Sequence, residues 1–75
     1  MYPNLNAEFA RKNLTLEKVV EELKKRGISM TVSTLSQKKN GYFSFTLDEA
    51  KAIKEIIRDY TGADIPLEEL FEEAS

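Results

Sequence analysis

Thr31-Val-Ser-Thr-Leu-Ser-Gln-Lys-Lys-Asn-Gly41 is the stretch that decides the fold. It reads as one short helix with a stop signal at each end. The Thr31 hydroxyl can accept a hydrogen bond from the first free backbone amides of a helix, and Gly41 can adopt the left-handed conformation that terminates one. Between them Leu35 is the only large apolar side chain. Helical spacing puts Val32, Ser33, Ser36, Gln37 and Asn40 on one face, away from Leu35. That face is small and polar, with Gln37 near its middle and Lys38 and Lys39 beside it. A helix built this way is anchored by one residue and shows the rest outward. It suits lying in a groove and bonding to what lines it, and the major groove of duplex DNA admits a helix.

Working outward, apolar spacing is helical nearly throughout. Leu5 and Phe9 predict a first helix over 5–12. Thr15 predicts the cap of a second helix, with the stripe Leu16, Val19, Val20 and Leu23, reaching about Arg26. Gly27 stops it, and Ile28 and Met30 offer apolar side chains to the core. The third helix is 32–39. The alternating Tyr42-Phe-Ser-Phe45 is better read as a loop than a strand, because no second strand-like run exists to pair with it. Phe43 or Phe45 is expected in the core. Thr46-Leu-Asp-Glu49 is a capping box, with Phe45 and Ala50 as its hydrophobic staple. The helix after it carries the stripe Leu47, Ala50, Ile53, Ile57 and Tyr60 and ends at Gly62. Pro66 opens a last helix with Leu67, Leu70 and Phe71 facing inward. The expectation is an all-α, five-helix single domain over residues 1–75.

Composition excludes several functions. The 75 residues contain no cysteine and no histidine, so disulfides, thiolate metal sites, and the commonest general base and metal ligand are absent. The three glycines all punctuate helices and form no phosphate loop. No nucleophile–base pair is visible, so neither an enzyme nor a cofactor or small-molecule substrate is expected. The acids Glu68, Glu69, Glu72 and Glu73 sit at helical spacing without the oxygen-rich loop of a calcium site and read as a solvated face. No run approaches the ~20 apolar residues of a membrane span, and Met1-Tyr-Pro-Asn has no signal-peptide character. A cytoplasmic setting in a bacterial host fits.

The net charge of -2 hides an asymmetry. Residues 1–45 carry eight cations against four acids, and residues 46–75 carry three against nine. The basic half contains the polar helix, so the field is expected to turn that helix toward a polyanion.

A helix from Thr15, a turn, and a capped polar helix ending Asn40-Gly41 make a helix-turn-helix arrangement. The chain resembles the phage repressor and Cro-like helix-turn-helix family, with a lambda-repressor-like fold. The likeness rests on Asn4-Leu-Asn-Ala-Glu-Phe-Ala-Arg11, Thr34-Leu-Ser-Gln-Lys-Lys-Asn-Gly41, Phe45-Thr-Leu-Asp-Glu-Ala50 and Leu67-Glu-Glu-Leu-Phe71, and so covers nearly the whole chain. It implies a DNA-binding transcription regulator that acts by occupying an operator. By position it implies base contacts from Val32, Ser33 and Gln37, and phosphate contacts from Ser36, Lys38, Lys39, Asn40, Gly41 and Tyr42. Gln37 can pair bidentately with adenine, and Val32 either touches a thymine methyl or is plain helix surface. Lys24, Lys25 and Arg26 either meet phosphate or are solvated. One short helix reads few base pairs, so a homodimer on DNA is expected, paired around Ile65, Leu67 and Phe71.

The chain departs from the family pattern in three places. Leu16 stands where the family often has a phosphate-binding glutamine. The stretch 24–30 is longer than the usual tight turn. Lys38 occupies a position that is usually aliphatic; its stem can cover the core while the ammonium reaches water or phosphate. Leu16 and the acidic total favour an alternative, a helical module that binds a protein partner.

Overall fold

Helix-forming spacing and local stop signals carry through to the structure. The computed structural model describes residues 2–11 and 13–73, and these form five helices and no strand: α1 Pro3–Arg11, α2 Leu16–Lys25, α3 Val32–Lys39, α4 Leu47–Thr61 and α5 Leu67–Leu70. The helix α1 starts two residues earlier than the Leu5–Phe9 spacing indicates, because Pro3 is pre-set for a first helical position. Its expected end at Lys12 lies outside the described residues. Tyr2, just ahead of it, is buried.

The Thr15 hydroxyl caps α2 by accepting from the Lys18 amide at 3.1 Å. At the other end Gly27, with φ +82°, donates to the Lys24 carbonyl at 3.0 Å, and Ile28 donates to Leu23 at 2.9 Å. These paired bonds close a Schellman motif, which a residue with a Cβ adopts only at a cost. The long stretch before α3 therefore does not extend α2. It runs as a turn at 26–27 and an irregular segment at 28–31, with Ile28 and Met30 packed against the core.

Helix α4 is the spine, in contact with α1, α2 and α5, while α3 packs on α2. Ala52, Ile53, Ile56 and Ile57 form its buried face and meet Leu5, Phe9, Val19, Leu23, Leu35 and Leu70. The expected α4 stripe needs correction at both ends. Leu47 is 63% exposed, since it lies roughly 150° around the helix from the centre of that face. Tyr60 points along the face but beyond the end of the core, and its ring reaches out over α2. The capping box is present: Thr46 Oγ1 accepts from the Glu49 amide at 3.2 Å and Glu49 Oε1 accepts from the Thr46 amide at 2.9 Å. Phe45 packs on the rings of Tyr2 and Phe71, at 5.6 and 5.2 Å.

Two acids of the basic half, Glu8 and Glu22, are buried and join helices. Glu8 on α1 meets Arg11 at 3.1 Å and the Thr61 hydroxyl of α4 at 3.2 Å. Glu22 on α2 accepts from the Tyr60 hydroxyl of α4 at 2.9 Å, from Arg26 at 3.0 Å and from Lys25 at 3.1 Å. Arg26 also reaches Asp59 of α4 at 3.0 Å. The Tyr60 hydroxyl bond, followed by those from Lys25 and Arg26, holds the Glu22 carboxyl down to about 2, from an ordinary value of 4.5. A depressed folded-state value stabilises the fold above the ordinary value, and that contribution is lost as pH falls through the folded one. The expected outcome is a stability gap between wild type and Glu22→Gln that shrinks as pH drops from about 4.5 toward 2. Urea unfolding across that range measures it, and a pH-independent gap would show that Glu22 is not the acid-sensitive link.

Candidate nucleic-acid interface

The expected recognition face belongs to α3, and its geometry follows from how that helix is held. Leu35 is fully buried and is the only buried residue of α3. The Thr31 hydroxyl accepts from the Thr34 amide at 3.1 Å, so the first turn is closed locally. At the other end Gly41, at φ +90°, donates to the Lys38 carbonyl at 3.1 Å and Tyr42 donates to Gln37 at 2.9 Å. These bonds repeat the device that ends α2.

Of the three expected base-reading residues, Ser33 and Gln37 are exposed and Val32 is half-buried. Asn40 is exposed, and Ser36 and Lys39 are half-buried. Among the described residues, none of the side chains of Ser33, Ser36, Gln37 and Asn40 bonds to another group of the protein. The face is thus a row of polar groups whose partners would come from outside. Lys39 has no ion-pair partner among the described residues, and neither has Lys24. Tyr42 is 76% exposed.

Two of the expected phosphate contacts have partners within the protein. The Lys38 ammonium lies 2.7 Å from Glu49 Oε1 and 2.9 Å from Oε2, and both side chains are 15% exposed. Burial alone would raise the Glu49 carboxyl; the Lys38 ammonium and the Thr46 amide hold it below its ordinary value. Lys38 therefore ties α3 to the start of α4, and its charge is already matched. Gly41 has no side chain, and its amide is used by the cap, so it has no donor left for a phosphate. The Tyr42 amide is used likewise, and only its side chain stays available.

Two acids from residues 46–75, Asp59 and Glu49, sit against Arg26 and Lys38, which lowers the positive field around this face below the count for residues 1–45. Within the basic half Arg11, Lys18, Lys25, Arg26 and Lys38 all pair with carboxylates. Glu22 alone engages three of them. Sequence spacing missed the Lys38–Glu49 pair, which crosses a loop and has no local periodicity. Of Phe43 and Phe45, the second packs against the core and the first is 57% exposed.

Because one apolar side chain seats α3, Leu35→Ala should cost roughly 2–5 kcal/mol, a transfer loss plus a cavity. Thermal unfolding should show a strongly lowered midpoint; a midpoint near wild type would mean that α3 is held elsewhere. No family model matches this chain, nor does any curated protein or solved structure, so its function is read from the geometry described above.

Proposed function

We propose that this protein is a sequence-specific binder of duplex DNA, a helix-turn-helix regulator of the phage repressor and Cro-like kind, with α2 and α3 as its two motif helices. One observation carries the reading: α3 buries Leu35 alone and offers Ser33, Gln37 and Asn40 to the outside unpartnered. A polar helix of eight residues, closed by caps at both ends, fits the roughly 12 Å width of the major groove. In this role Gln37 reads a base edge, with Ser33 and Val32 beside it. Ser36, Lys39, Asn40 and the Tyr42 side chain position the helix on the backbone. The protein acts by occupying a site and not by chemistry. Two copies bind half-sites one helical turn apart, ~34–36 Å. Of the expected pairing residues, Ile65 and Phe71 pack against the protein's own core and Leu67 is half-buried, so free pairing is weak.

Affinity should fall with salt, with a log–log slope of about −2 to −4 per copy, reflecting few free cations. Lys39→Ala should weaken binding to all duplexes alike and flatten the slope by about 1. Gln37→Ala should cost about 1–3 kcal/mol on the preferred site and relax one base position. Selection from a random duplex pool supplies the site. No binding at low salt across that pool would sink the DNA reading.

The selected site should be a pseudo-palindrome that sedimentation shows occupied by two copies. One copy at saturation on a site without dyad symmetry would rule out paired binding.

A further inference from the structure

A groove of about 510 Å³ opens between the residue before α1, the loop entering α4, the first turn of α4, and α5. Its size falls within the range of sites that seat small apolar groups. Three rings lie against it. Tyr2 and Phe45 stand 5.6 Å apart, Tyr2 and Phe71 5.8 Å, and Phe45 and Phe71 5.2 Å, all tilted or edge-on. Leu47, Ala50 and Leu67 complete the apolar lining. The exposure of Leu47 is not explained by the protein's own core, which α4 supplies through its isoleucine face. The charged side chains lining the groove are Glu68 and Glu73, and no cation joins them. Burial and the nearby Glu73 carboxylate push the Tyr2 hydroxyl up, as expected where the local field is negative.

We propose that this groove docks a basic amphipathic segment of a partner protein, its bulky apolar side chains against exposed Leu47 and half-buried Phe45 and Phe71 and its lysines or arginines beside Glu68 and Glu73. Charge complementarity selects this occupant. A second copy paired by a two-fold axis presents the same patch to itself, so it sets these acids against their own counterparts. The apolar lining supplies affinity. Exposed ion pairs contribute little each, so the acids mainly choose the sign of the partner. Laying the apolar face of a helix into a groove is an established mode of peptide recognition. This inference does not depend on DNA binding by α3, and its test contains no DNA.

The test titrates the isotopically labelled full chain with two synthetic amphipathic peptides of about three to four helical turns. They share their leucine and phenylalanine positions; one carries lysines on the polar face, the other glutamates. The lysine peptide should shift the amide resonances of Leu47, Ala50, Leu67 and Phe71 and bind at least about tenfold more tightly than the glutamate peptide. Glu68→Gln combined with Glu73→Gln should reduce that preference to about threefold or less. Leu47→Ala removes an exposed side chain, so it should keep the melting temperature while weakening the lysine peptide. Equal binding of both peptides, or shifts confined to other surfaces, would overturn the proposal. So would a free chain that sediments as a dimer with these same resonances at its interface, since a second copy would then be the occupant.

Discussion

Burial of Leu35 holds α3 in place. An isolated helix of eight residues is too short to persist in water, and α3 has no other buried residue to contribute. Its order is borrowed from the core beneath it. The Thr31 cap and the Gly41 terminus spare it unsatisfied backbone groups, and the Lys38–Glu49 pair fixes how it turns against α4. None of these contacts uses the side chain of Ser33, Gln37 or Asn40. Residues on the outward face can therefore change without cost to the fold, which separates what the helix presents from what keeps it there.

Electrostatics divides the molecule differently from its residue count. Read along the chain, the cations gather before Thr46 and the acids after it. In space, much of the positive charge is matched by acids on the same or a neighbouring helix, with Glu22 at the centre of the largest cluster. That cluster joins α2 to α4 through Tyr60 and, by way of Arg26, Asp59. The acidic side chains around α5 have fewer such partners: Lys54 reaches Asp64, while Glu68 and Glu73 face the groove. Among the described residues, acids without an ion pair outnumber such cations, and Glu68, Glu69, Glu72 and Glu73 lie at that end.

Features set by sequence neighbours were legible. Thr15, Thr31 and Thr46 each accept from the amide three residues on, a bond whose geometry is local. Gly27, Gly41 and Gly62 sit at positive φ where helices stop. The bounds of α3 and the burial of Leu35 followed from these signals. The polar face of α3 was legible for the same reason. Features set by distant contacts were not. Lys38 meets Glu49 across a loop, so its spacing said nothing. Leu47 obeys an i, i+3 relation with Ala50, but the face that packs is centred on Ile53, Ile56 and Ile57. Tyr2 and Phe45 give no periodic signal, and only the folded chain brings them to Phe71. The burial of Glu8 and Glu22 gave no sequence signal, because burial of a carboxylate depends on partners that composition cannot place.

Glu49 holds two ends of the structure with one carboxylate. Its Oε1 accepts from the Thr46 amide, which begins α4, and from the Lys38 ammonium, which steers α3. The start of one helix and the tilt of the next are thus not independent variables. A chain that replaced Glu49 with glutamine would keep an acceptor for the cap but leave a half-buried ammonium uncompensated, whereas one that replaced Lys38 with an aliphatic residue would release the carboxylate to the cap alone. Positions 38 and 49 are coupled through this one ion pair. Among descendants of this sequence, an exchange at one should travel with an exchange at the other, while Ser33 and Gln37 drift freely with whatever they touch.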